Sequence, residues 1–142
     1  MPKSKKMPRV FVVDDEPVIA GTVAAILNRE GFAAVPFTNP FEALKAARIS
    51  PPDLLISDVK MPELSGVELA VALWQACPEC KILLFSGQAS SEGLLSKARR
   101  QGYKFHLLQK PVHPKDLLRK LRLNQPISSW ERWTDRPTQD VL

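Results

Sequence analysis

Residues 54–66 read Leu54-Leu55-Ile56-Ser57-Asp58-Val59-Lys60-Met61-Pro62-Glu63-Leu64-Ser65-Gly66. The short run from Leu54 to Ser57 stops on an acid, Asp58, and such a run reads as a strand buried inside a parallel sheet. The pattern recurs on both sides of it. Val10 to Val13 precedes Asp14, Ile82 to Phe85 precedes Ser86, and Phe105 to Gln109 precedes Lys110. A fifth, weaker run, Ala33 to Phe37, contains Pro36, which has no amide to donate and therefore suits a sheet edge.

Helical patterns fill the gaps. Pro17 to Glu30 carries Ile19, Val23, Ile26 and Leu27 on one face and stops at Gly31, a residue suited to a left-handed helix end. Asn39 before Pro40 is a cap followed by proline at the first helical position, and Pro51-Pro52 ends that helix after about Ile49. Gly66 to Cys77 sets Leu69, Ala70, Leu73, Ala76 and Cys77 on a stripe closed by Pro78. Ser91 to Gln101 turns Leu94, Leu95 and Ala98 inward, and Pro114 to Arg122 does the same with Leu117, Leu118 and Leu121. Alternating strands and helices predict an α/β fold, a doubly wound parallel sheet with right-handed crossovers. Function then belongs at the carboxyl ends of the strands.

The chain has 142 residues, 44% of them hydrophobic, enough for one domain with a sizeable core. The expected division is a basic, flexible N-terminus over 1–8, a folded unit over 9–124 and a tail over 125–142 with a short helix. No segment reaches membrane-spanning length, and the basic start lacks the apolar stretch of a signal peptide. With two cysteines, the composition points to a reducing cytoplasm. The net charge of +5 is uneven. Lys97, Arg99, Arg100, Lys104, Lys110, Lys115, Arg119, Lys120 and Arg122 face the single acid Asp116, whereas Asp14, Asp15, Glu16 and Asp58 concentrate negative charge elsewhere.

In a parallel sheet the residues ending the strands converge, so Asp14, Asp15, Asp58, Ser86 and Lys110 are expected around one cleft. Crowded carboxylates need a cation, and a hard divalent ion such as Mg2+ or Mn2+ prefers such oxygen ligands. Lys110 adds a second positive charge and Ser86 a hydrogen-bond donor. Singly, each residue reads as a cap, a loop or a surface turn. Core packing gives no reason for acid, hydroxyl and lysine at separate strand ends, and together they suit a phosphoryl group.

Over about Arg9 to Asn124 the chain resembles the receiver domain of two-component response regulators, of the chemotaxis-regulator kind. The resemblance runs through VVDDEP (12–17), LLISDVKMPELSG (54–66), LLFSGQ (83–88) and LLQKPV (107–112). It implies a flavodoxin-like strand order, 2-1-3-4-5, in a single domain. It also implies phosphorylation of Asp58, with magnesium organised by Asp14, Asp15, Asp58 and the backbone carbonyl of Lys60. Lys110 and Ser86 would contact the phosphoryl oxygens, and a cis bond would join Lys110 to Pro111. The implied partners are a sensor histidine kinase or phosphotransfer protein and an output protein. Enzymatic action would be confined to the chain's own phosphorylation and dephosphorylation.

Three places depart from that pattern or lie outside it. Leu107 stands where many receivers carry an aromatic switch residue, so sensing is expected to pass through Ser86 and a blunter repacking of Leu107. Lys60 and Gln88 flank the site at variable positions. The basic flank covers the surface receivers use for targets or homodimers, and favours an acidic protein partner over nucleic acid, for which no aromatic interleaving or helix-turn-helix is present. In the tail, Ser128 and Glu131 have capping-box spacing and Trp130 and Trp133 share a helical face. Cys77 and Cys80 have redox spacing but close a helix instead of opening one, and His106 and His113 do not complete a zinc pattern. Two other functions compete: a phosphorylation-independent adaptor, and an aspartate-nucleophile phosphohydrolase. The latter would need a second aspartate at the position of Lys60.

Overall fold

The computed structural model describes residues 7–87, 92–103, 105–109 and 113–123. Its strands are β1 (Arg9–Val13), β2 (Ala33–Phe37), β3 (Leu54–Asp58), β4 (Lys81–Ser86) and β5 (His106–Gln109). They alternate with α1 (Pro17–Arg29), α2 (Pro40–Ile49), α3 (Gly66–Ala76), α4 (Glu92–Arg100) and α5 (Pro114–Leu123). The sheet is parallel throughout, in the order β2-β1-β3-β4-β5. This is the doubly wound topology expected from the sequence, with the proline-bearing strand at an edge.

Strand alternation divides the core into two layers. Phe11, Val13, Leu55, Ile82 and Leu84 pack with α2, α3 and α4 on one face, through residues such as Ala47, Leu73 and Leu95. Val10, Val12, Leu54, Ile56, Leu83, Phe85 and Leu108 pack with α1 and α5 on the other, through Ala24, Leu27, Leu117 and Leu121. Removing each large side chain from water contributes about 1.5–3 kcal/mol. The β3 pattern is buried along its whole length because both faces are covered.

Local signals set the helix ends. Asn39 Oδ1 accepts the backbone N–H of Phe41 at 2.8 Å and caps α2, while Pro17 opens α1. Gly31 has φ +99°, the left-handed conformation anticipated after α1. At α3 a capping box joins Ser65 and Glu68. That spacing is readable in the sequence and is absent from the expectations above.

Two helix faces differ from the periodicity. The buried stripe of α1 is Ala20, Ala24 and Leu27, with Ile19, Val23 and Ile26 only partly covered. Two small alanines and Leu27 fill this contact, and the β-branched residues lie to its sides. In α3 Ala76 is exposed and Val67 is buried. The first turn, held against the sheet, takes the contact that the last turn gives up.

The edge strand is partly closed by a side chain. Asn28 Nδ2 donates to the Ala34 carbonyl at 3.1 Å, and the Ala34 N–H donates to Asn28 Oδ1 at 2.7 Å. Those backbone groups are thereby unavailable to another strand. Trp74, Tyr103 and Phe105 form an aromatic cluster, with ring centroids 5.4–5.9 Å apart. Among the described residues no helix is long and apolar enough to cross a membrane.

Candidate phosphoacceptor site

β1 and β3 are neighbours in register, Val13 opposite Ser57, so Asp14 and Asp58 leave the sheet side by side. The Asp14 amide donates to the Phe37 carbonyl at 3.0 Å, and Asp14 Oδ1 accepts the Glu16 N–H at 2.9 Å. These bonds turn the chain into α1 and hold the Asp14 carboxyl at the rim. Asp15 follows and is exposed. One carboxylate oxygen from each of Asp14, Asp15 and Asp58 lies within 4.8 Å of the others. Asp14 is 2% and Asp58 8% exposed.

Like charges gathered this closely, two of them buried, repel one another unless a cation lies among them. The donor set is all oxygen, two of the carboxylates are buried, and one is open to solvent. It fits a hard divalent cation that keeps part of its water shell.

Ser86 ends β4 beside β3, whose Asp58 pairs with Phe85. It is buried. Leu107 lies in β5 opposite Leu84, half-buried against the face of the core that includes α3 and α4. Lys60 immediately follows Val59 and is exposed. The structure therefore gathers Asp14, Asp15 and Asp58 and puts Ser86 at the end of the next strand. Lys110, its bond to Pro111, Gln88, Lys104, Trp130 and Trp133 lie outside the described residues; the chain reaches Lys110 directly after Gln109, the partner of Ser86 in the sheet.

One residue at this end of the sheet went unremarked in the sequence. Ser57 is fully buried, and its Oγ donates to the Asp58 carbonyl at 2.9 Å. A serine inside an apolar strand was the available signal. Of the described buried polar side chains, Asp14, Ser57, Asp58 and Ser86 all stand at these strand ends, and His106 alone does not.

The cysteine pair is placed as its spacing suggested. Cys77 ends α3, and the Cys80 N–H donates to the Cys77 carbonyl at 3.1 Å, forming a turn. Both are free thiols. Burial, and secondarily the neighbouring Cys77 and Asp53, push the Cys80 thiol far above its ordinary range. A nucleophilic thiol needs the opposite.

The model of the response regulator receiver domain matches residues 10–122. The chain is 30% identical over 113 residues to the probable transcriptional regulatory protein TcrX of Mycobacterium tuberculosis, covering 80% of this chain and 47% of that one. It is 29% identical over 109 residues to the phosphoglycerate transport system transcriptional regulatory protein PgtA of Salmonella typhimurium, covering 77% and 26%. It thus spans less than half the length of these curated relatives. Among solved structures, the chemotaxis protein CheY4 of Vibrio cholerae superposes with a TM-score of 0.73 at 29% identity, covering 82% of this chain and 98% of that one. A response regulator from Burkholderia pseudomallei with a phosphorylated aspartic acid, calcium ion and citrate gives 0.70 at 30%, covering 92% and 75%. The sheet order, the acidic cup at its strand ends and the match over residues 10–122 agree, and the chain belongs to the response regulator receiver domains of two-component signalling.

Proposed function

We propose that the chain is a phosphorylation switch in which Asp58 accepts a phosphoryl group from a sensor histidine kinase or phosphotransfer protein. The observation that carries this reading is the convergence of the Asp14, Asp15 and Asp58 oxygens within 4.8 Å at the carboxyl edge of the sheet. The phosphorylated aspartic acid and calcium ion in the Burkholderia pseudomallei relative support it.

Asp14, Asp15 and Asp58, with the backbone carbonyl of Lys60, would hold the metal. Bound there, Mg2+ or Mn2+ supplies positive charge against both the carboxylates and the phosphoryl oxygens. A carboxylate oxygen of Asp58 attacks phosphorus. The new O–P bond forms as the donor's P–N bond breaks, and the electron pair leaves on the imidazole nitrogen; with an acyl phosphate the leaving group is a carboxylate. Lys110 steadies the phosphoryl oxygens, and the Ser86 hydroxyl donates to one of them. Water later hydrolyses the acyl phosphate and resets the switch, the only catalysis proposed. Ser86 and Leu107 pass the change through β4 and β5 to an output partner, by shifting the population between two states of that surface. The free thiols fit a cytoplasmic setting.

A second reading rests on Leu107. An aliphatic, half-buried side chain in place of the aromatic switch is also compatible with an adaptor whose surface does not respond to phosphorylation. Two measurements together separate them: with acetyl phosphate and magnesium the switch predicts one added phosphoryl by intact mass in the native chain and none in Asp58→Asn, and it predicts partner capture that depends on phosphorylation, whereas the adaptor captures its partner equally with Asp58→Asn. A pull-down with a beryllofluoride-loaded chain then identifies the output partner. No mass gain under any magnesium concentration would leave the adaptor standing.

A further inference from the structure

We infer that Ser57 is a positioning residue for the metal and phosphoryl site, acting through the backbone of Asp58 and the loop that follows it. This deepens the reading of Asp58 as phosphoacceptor and rests on it.

Three observations meet at one carbonyl. Ser57 Oγ donates to the Asp58 carbonyl oxygen at 2.9 Å from a fully buried position. The first residue of α3, Gly66, approaches the same carbonyl so closely that a Cβ there would collide with its oxygen, lying 2.9 Å from the carbonyl carbon and 3.0 Å from Ser57 Oγ. The next carbonyl, of Val59, accepts the Gly66 N–H at 2.8 Å, while the Val59 N–H donates to Phe85 at 2.9 Å. The peptide groups on either side of Val59 are thus tied to the sheet on one flank and to α3 on the other.

These contacts close the base of the loop from Lys60 to Ser65. The loop is tightly wound: Glu63 has φ +73°, and the Leu64 N–H donates to the Pro62 carbonyl at 2.7 Å. A loop whose ends are pinned leaves few conformations to the residue beside the pin, Lys60, whose carbonyl is the proposed fourth protein ligand. The side chain of Asp58 is oriented from the same backbone.

An apolar residue at position 57 would satisfy the core, since its neighbours Leu55 and Leu84 are apolar. A buried hydroxyl is instead present and is spent on the phosphoacceptor's own peptide. Removing it takes a donor away from the Asp58 carbonyl at a buried position. Outer partners that orient ligands tune metal affinity in this way.

The test compares the full chain with Ser57→Ala and Ser57→Thr. Magnesium affinity is read by calorimetric titration, the phosphorylation rate by intact mass with acetyl phosphate, and metal-free stability by thermal melting. Ser57→Ala should fold, since it only shortens a side chain, and should bind magnesium about three- to tenfold more weakly. Its phosphorylation at subsaturating magnesium should slow by a similar factor and recover at high magnesium. Ser57→Thr, which keeps the hydroxyl on a strand-compatible side chain, should restore affinity if it folds. A lowered melting temperature with magnesium affinity unchanged in Ser57→Ala makes Ser57 merely structural and overturns the inference. If the native chain binds no magnesium and takes no phosphoryl group, the parent reading has failed instead.

Discussion

Asp58 and Gly66 meet through their backbones alone: the α-carbon that opens α3 sits against the carbonyl of the last residue of β3, with no room for a Cβ. Gly66→Ala therefore has to displace a main chain tied to the sheet. Stability should fall by about 2–4 kcal/mol in chemical denaturation. Gly21 offers the control, because a Cβ there meets nothing within 4 Å. It lies within α1, so Gly21→Ala should stabilise the chain by about 0.5–1 kcal/mol. Equal effects at the two glycines would show that helix propensity, and not the contact with Asp58, governs position 66.

Magnesium should stabilise the native chain, since three carboxylates share its site. At free metal about ten times the dissociation constant, binding adds about 1.4 kcal/mol, a rise of about 3–8 °C in Tm. Asp58→Asn removes one of the mutually repelling charges. In EDTA it should melt about 1–4 °C higher than the native chain, with a smaller response to magnesium. An unchanged response would remove Asp58 from the ligand set.

Leu107 tests the route of the signal. Its side chain packs against the core face lined by α3 and α4, and its strand neighbours β4, which ends on Ser86. Addition of beryllofluoride and magnesium should shift the methyl resonances of Leu107 more than those of Leu54, which is buried in the other layer of the core. Static Leu107 resonances beside a loaded site would mean that the change travels by another path.

Cys80 makes stability depend on alkaline pH. Its thiol is held in the neutral form mainly by burial, so the folded chain keeps a proton that the unfolded chain loses near pH 8.5–9, by about the ordinary thiol value. The associated stability is complete below that pH and declines above it as pH rises towards the folded value, by about 1.4 kcal/mol per unit. The stability difference between the native chain and Cys80→Ala, measured by urea denaturation from pH 7.5 to 10.5, should therefore shrink above pH 9, by about the same slope. A difference that stays constant would mean that Cys80 ionises in the folded chain as it does when unfolded.

Much of this protein was legible residue by residue. Apolar runs ending at Asp14, Asp58 and Ser86 marked three central strands, because a strand covered on both faces needs continuous apolar sequence. Asn39-Pro40 and Gly31 marked helix ends, because capping and left-handed backbone are local chemistry. Pro36 at the edge follows from its missing amide. The acidic cup was legible for a topological reason: parallel strands bring their carboxyl ends together whatever the details of packing.

What needed three dimensions was contact between segments distant along the chain. Which face of α1 is buried was decided in the folded chain, where Ala20, Ala24 and Leu27 are buried and Ile19, Val23 and Ile26 only partly covered. The pairing of Asn28 with the edge at Ala34, and the meeting of Ser57, Asp58 and Gly66 on one carbonyl, are likewise invisible to periodicity. Sequence alone determined the order of elements and the chemical types at their ends, because propensity and patterning act within a few residues. Tertiary structure alone decided how those types touch, because close packing is a property of surfaces brought together by the whole chain.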